Sequence, residues 1–139
     1  MRILLDTSAY SAFKRGDERV VALIRKSEEI VFSPVVAGEL LAGFRWGARF
    51  ERNRDELLEF LEHPRVRLAA LTLAAADRYG RIYRALRSKG VPIPTNDLWV
   101  AAQTMESGAE LATLDRHFAL VDGLAWIDLS PPDADAKPP

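Results

Sequence analysis

The sequence predicts an α/β fold of three layers, with a short central parallel sheet covered by helices on both faces. Short apolar, β-branched runs alternate with stretches of helical periodicity, and helix-capping residues stand at the junctions between them. No internal repeat or linker breaks the alternation. At 139 residues and 48% hydrophobic, the chain supplies one real core and is too short for two. One domain is expected over residues 1–130, followed by a disordered Pro-rich tail over residues 131–139.

Arg2 to Leu5 is an apolar run ending in Asp6-Thr7-Ser8. Ala9, Ala12 and Phe13 then recur at helical spacing until Gly16, giving strand, turn and helix. Val20, Leu23 and Ile24 form a second helical stripe, and Ile30-Val31-Phe32 reads as the next strand. Ser33 suits an N-cap, with Pro34 at the first helical position and Ala37, Leu40, Leu41 and Phe44 following at helical intervals. Asn53 or Asp55 is expected to cap a helix carrying Leu57, Phe60 and Leu61, which His63-Pro64 ends. A strand over residues 66–71 should precede a long helix that Thr72 starts, with Tyr79, Ile82, Tyr83 and Leu86 on one face and Lys89-Gly90 at its end. Val91-Pro92-Ile93-Pro94 must be extended, and Thr95 or Asn96 should cap the helix bearing Leu98, Ala101, Ala102 and Met105. Residues 110–113 and 125–129 are the last strands expected.

Four separated acids, Asp6, Glu39, Asp97 and Asp115, fall at strand ends or near helix starts. In an open parallel sheet such positions converge beyond the carboxyl ends of the strands. Each has an ordinary alternative: Asp6 as a cap, Asp97 in a first helical turn, Asp115 in a turn. Glu39 lies opposite its helix's apolar stripe, where a solvated side chain is the default. Gathered together they would repel one another unless a cation lay among them. A hard divalent ion, Mg²⁺ or Mn²⁺, fits oxygen ligands of this kind. Thr7, Ser8, Asn96 and Thr113 are short polar side chains able to orient ligands or to cap helices. His117, two residues after Asp115, either faces the same crevice or packs beside Phe118. No lysine or histidine is well placed as a conventional base. Trp46, Trp99 and Trp126 sit among apolar neighbours, so core packing is expected for each.

Nineteen basic against twenty acidic residues leave a formal charge of -1, which neither invites nor excludes nucleic acid. The distribution is uneven. Arg78, Arg81, Arg84, Arg87 and Lys89 run along one helix with no acid among them, and Arg45, Arg49, Arg52 and Arg54 form a second group. These are solvated faces, or grips on a phosphate backbone. The absence of cysteine removes disulfides and thiolate metal sites. With no signal peptide and no apolar run near the roughly 20 residues that span a bilayer, a soluble cytoplasmic protein is expected.

The segments Leu5-Asp6-Thr7-Ser8, Glu39-Leu40-Leu41-Ala42-Gly43, Asn96-Asp97-Leu98-Trp99-Val100-Ala101-Ala102 and Thr113-Leu114-Asp115-Arg116-His117-Phe118 stand in a distinctive order and spacing. In them the chain resembles the PIN-domain ribonucleases, specifically the VapC-like toxins of bacterial and archaeal toxin–antitoxin pairs. The resemblance implies a PIN-like fold and a Mg²⁺-dependent endoribonuclease, with Asp6, Glu39, Asp97 and Asp115 as the acidic metal site and Thr113 as a supporting hydroxyl. It also implies a homodimer, a VapB-like antitoxin as partner and cellular RNA as substrate. One departure stands out: many relatives carry a further aspartate where this chain has His117. Two rivals remain, a non-catalytic PIN-like RNA- or partner-binding module and an aspartyl-phosphate enzyme. Asp6-Thr7-Ser8 lacks the second aspartate that the phosphatase pattern places two positions on.

Overall fold

The computed structural model describes residues 1–132. Its sheet is built from strands of three or four residues, β1 (Arg2–Leu5), β2 (Glu29–Phe32), β3 (Val66–Leu68), β4 (Glu110–Thr113) and β5 (Trp126–Asp128). All neighbours are parallel, in the order β3-β2-β1-β4-β5. The helices are α1 (Thr7–Lys14), α2 (Glu18–Lys26), α3 (Pro34–Arg45), α4 (Phe50–Glu62), α5 (Leu73–Lys89) and α6 (Thr95–Glu106). The result is the expected α/β/α arrangement around a parallel sheet.

The three central strands are apolar because both faces of the sheet are covered. Ile3, Leu4, Leu5, Ile30, Val31, Phe32, Leu111 and Ala112 are buried, with Leu4 in register with Val31 on one side and Leu111 on the other. Tyr10 of α1 meets Phe32 and Phe60 edge-on at ring separations of 5.7 and 5.4 Å, which locks α1 and α4 to β2. Tyr79 and Trp99, 4.4 Å apart, join α5 to α6. Buried Gln103 donates to the carbonyl of Ala69 and accepts from Ser33, so α6 is tied to the chain leaving β2 and β3.

Local signals act where they were expected. Asp6 caps α1, Ser33 caps α3 and Thr72 caps α5, each accepting a first-turn amide, while Gly90 closes α5 in the left-handed region at φ 70°. Other boundaries differ. Neither Asn53 nor Asp55 caps α4; the helix begins at Phe50, whose ring lies under the guanidinium groups of Arg45 and Arg54 at 4.1 and 5.5 Å. Thr95 and Asn96 do not cap α6 but lie inside its first turn, because the carbonyl of Pro94 already accepts from Asp97 and Leu98. β3 stops at Leu68 instead of running to Leu71, since an edge strand finds a partner only in β2. Trp46 is 92% exposed rather than in the core, as it follows α3 beyond its last packed turn. Of the expected tail, residues 131 and 132 are irregular and the remainder lies outside the described residues. No helix among the described residues is long and apolar enough to cross a membrane.

The strand order reverses beside β1: the chain runs outward to β2 and β3, then crosses back to β4 and β5. Asp6 directly follows β1 and Asp115 lies two residues beyond β4. Both therefore stand at the carboxyl side of the switch point, where such sheets open a crevice.

Candidate metal centre

Asp6 is 6% exposed and held from three directions. Its Oδ1 accepts from Ser8 Oγ at 2.6 Å and from the Ala9 amide at 2.9 Å, while its Oδ2 accepts a short bond from Thr113 Oγ1. Burial pushes its carboxyl above the ordinary value, the hydrogen bonds from Ser8, Thr113 and Ala9 pull it back, and nearby Asp115 adds a further upward push. Capping and site-building are thus one geometry.

Asp115 is fixed by its own amide, which donates to Thr113 Oγ1 at 2.9 Å. Its Oδ1 accepts from the backbone amide of His117 at 3.1 Å and lies 2.7 Å from ring Nδ1 of the same residue. The other ring nitrogen, Nε2, is 2.8 Å from Asp97 Oδ2, on the first turn of α6. Nε2 is buried at the atomic level and stands beside that carboxylate without an aligned hydrogen bond. The imidazole both packs against Phe118, ring centroids 4.7 Å apart, and faces the acids, where the sequence had offered these as alternatives. A histidine does therefore stand within reach of the acids.

Burial is the chief cause that raises the Asp97 carboxyl; His117 opposes it, and Glu39 and Asp115 reinforce it. Glu39 is drawn in from solvent, with its Oε1 accepting from Thr7 Oγ1 at 3.1 Å. Helical periodicity reads only the face of α3, and this contact comes from α1. Asn96 is exposed and no hydrogen bond ties it to the cluster.

The basic groups are less free than their spacing suggested. Arg78 pairs with Glu106 at 3.6 Å, Arg81 with Asp77 at 3.1 Å, and Lys89 with Asp122 at 2.6 Å. Arg45 covers Phe50, whereas Arg49 and Arg84 are exposed. None of these arginines has an ion pair with the acid cluster.

The family model described as PIN domain matches residues 3–124. The chain belongs to the PIN domain family. Ribonuclease VapC1 of Rickettsia felis is 28% identical over 136 residues, 96% of this chain and 100% of that relative. The crystal structure of VapBC2 from Rickettsia felis, bound to a DNA fragment from their promoter, matches with a TM-score of 0.80 at 25% identity, covering 92% of this chain and 98% of that one. VapBC-1 from nontypeable Haemophilus influenzae has the same fold, with a TM-score of 0.81 at 24% identity over the same shares. The resemblance to VapC-like proteins read from the sequence is borne out.

In this PIN domain the donor set fits a divalent metal ion. Asp97, Asp115 and His117 each offer a ligand atom, and the three atoms lie within 4.8 Å of one another. Asp6 Oδ2, with one hydrogen bond received from Thr113, keeps a lone pair for a further contact. Burial chiefly, with the neighbouring acids adding to it, raises the Asp6 and Asp97 carboxyls, and a cation among them would favour their charged forms.

Proposed function

We propose that this PIN domain is the toxin of a toxin–antitoxin pair, a Mg²⁺-dependent endoribonuclease that hydrolyses phosphodiester bonds in cellular RNA. The observation that carries the reading is the meeting of Asp6, Asp97 and Asp115 at the switch point of a sheet whose family and relatives include VapC ribonucleases. Mn²⁺, which carboxylates also suit, can substitute for Mg²⁺. When bound, the ion supplies charge stabilisation at the scissile phosphate and a lower proton affinity for the attacking water.

The chain's own groups do the positioning. Asp6, clamped by Ser8, Thr113 and the Ala9 amide, would help to hold the ion together with Asp97 from α6 and Asp115 from the end of β4. Glu39, steadied by Thr7, completes the acidic shell or orients the attacking water. Arg49 and Arg84, together with Arg45, Arg78 and Arg81, hold the phosphate backbone. A VapB-like antitoxin is the inhibitory partner, in line with the VapBC2 assembly of Rickettsia felis, and the active form is a homodimer.

Incubation of total RNA with the protein, with and without Mg²⁺, tests the reading when the cut ends are mapped. Fragments with 5′-phosphate and 3′-hydroxyl ends are expected only with the ion present. Cleavage by Asp97→Asn at the wild-type rate would sink the assignment.

A further inference from the structure

We infer that His117 is a ligand of the metal centre through Nε2, with Asp115 as its orienting carboxylate, and that this nitrogen donor makes the centre select Mn²⁺ over Mg²⁺. The inference builds on the metal site proposed above and adds to it the donor set and the preferred ion.

The ring is held before any ion arrives. Asp115 Oδ1 takes the His117 backbone amide at 3.1 Å and stands 2.7 Å from Nδ1, and the opposite face of the contact is the fully buried Phe118. A carboxylate on one ring nitrogen is the usual device that fixes the tautomer of a metal-binding imidazole and leaves the other nitrogen's lone pair available. Here the other nitrogen is Nε2. It is screened from solvent, has no aligned hydrogen bond and lies 2.8 Å from Asp97 Oδ2.

With Nδ1 carrying the proton that faces Asp115, Nε2 and Asp97 Oδ2 at that separation repel each other unless a further proton or a metal ion lies between them, and the metal is the occupant that the measurement below distinguishes. Neighbouring ligands around a six-coordinate ion with bonds of roughly 2.1 Å are about 3 Å apart, and the separation of Nε2 and Oδ2 is compatible with both atoms holding one ion. Asp115 has its second oxygen, Oδ2, left to offer, and its ligand atom lies within 4.8 Å of those of Asp97 and His117.

The donor set then decides the ion. Mg²⁺ favours oxygen and gives up water reluctantly, whereas first-row transition ions accept imidazole. Mn²⁺ accepts both carboxylate and imidazole, which matches a centre of three aspartates and one histidine. An aspartate at position 117 would restore an all-oxygen set.

The decisive measurement uses the intact wild-type chain with Mn²⁺ alone and pulsed electron paramagnetic resonance. Imidazole nitrogen coupled to the bound ion is expected. The chain has two histidines, and His63 lies in the loop after α4, where its Nδ1 accepts from the Arg65 amide, so the signal is assignable. Calorimetric titrations with Mn²⁺ and Mg²⁺ should show a preference for Mn²⁺ of at least about tenfold, which His117→Asp removes while Mg²⁺ affinity stays within about threefold. A wild-type Mn²⁺ complex without nitrogen coupling, or an unchanged preference in His117→Asp, would overturn the inference and leave His117 as an internal counter-charge beside an all-oxygen site. Failure of the wild type to bind either ion, or equal binding by Asp97→Asn, would instead remove the metal site itself and the inference with it.

Discussion

Thr113, the last residue of β4, donates its hydroxyl to Asp6, the first residue after β1, across 107 positions of chain. The same oxygen accepts the amide of Asp115 at 2.9 Å. One buried side chain therefore couples the two strand ends that flank the switch point and sets the position of two acids together.

Thr113→Val keeps the shape of a β-branched strand residue and deletes both contacts. Asp6 loses one of its three donors and the Asp115 amide loses its acceptor. Leaving buried polar groups unmatched costs about 1–3 kcal/mol, which urea unfolding of the metal-free protein should show. Loss of an orienting partner should also weaken Mn²⁺ or Mg²⁺ binding by about 10- to 100-fold in calorimetry. Wild-type values on both measurements would mean that the hydroxyl does not organise the site.

The raised carboxyls give a stability signature with a definite sign. Asp97 sits above its ordinary value of 3.8, chiefly through burial, so its folded state binds protons more tightly than the unfolded chain. That contribution is fully present below the unfolded value and is lost as the pH rises through the raised folded value. In chelator, Asp97→Asn should therefore gain on the wild type in thermal unfolding as the pH climbs from about 4 to about 7. A divalent ion should reverse the order at neutral pH, since only the wild type keeps the full charge that binds it. A constant difference between the two proteins across that range would contradict the electrostatic account. Glu29, Glu56 and Asp128, all held down by their hydrogen-bond partners, titrate at lower pH and cancel in the comparison.

Glu39 depends on a contact between two helices, so it can be tested through its partner. Thr7→Val removes the hydroxyl at 3.1 Å without altering an acid. RNA cleavage should fall by about 10- to 100-fold, the usual cost of releasing an orienting group. The fold should hold to within about 0.5 kcal/mol, because Thr7 is only half-buried. Cleavage by Thr7→Val and Glu39→Gln at the wild-type rate would return Glu39 to the solvated role that periodicity assigns it.

These cases mark what the sequence makes legible. Asp6, Ser33, Thr72 and Gly90 act within one helical turn of themselves, so their residue types announce their roles. The alternation of apolar runs and helical stripes likewise carries the parallel sheet. Glu39 could not be placed this way, since Thr7 reaches it from 32 positions away. The start of α4 was hidden for a related reason: two arginines on the Phe50 ring hold its first turn, and no capping side chain marks it. His117 was half-legible. Its spacing from Asp115 hinted at contact, but the approach to Asp97 comes from tertiary packing.

Trp46 offers the last test, because local composition and tertiary exposure disagree over it. Apolar neighbours suggested a core residue, yet the indole follows α3 with 92% of its surface in solvent. An exposed side chain outside any network contributes little to folding, so Trp46→Ser should change the unfolding free energy by less than about 0.5 kcal/mol. Fluorescence separates it from Trp99, which packs against Tyr79 at 4.4 Å and should be shielded. The wild-type minus Trp46→Phe spectrum should have the red-shifted emission of hydrated indole and be fully open to acrylamide. A blue-shifted, protected difference spectrum with a stability loss above about 2 kcal/mol would show that the indole is covered in solution, since burial of a large apolar side chain is worth that much. Dilution would then identify the cover: protection by a second copy of the chain disappears as the protein concentration falls, whereas protection within one chain does not.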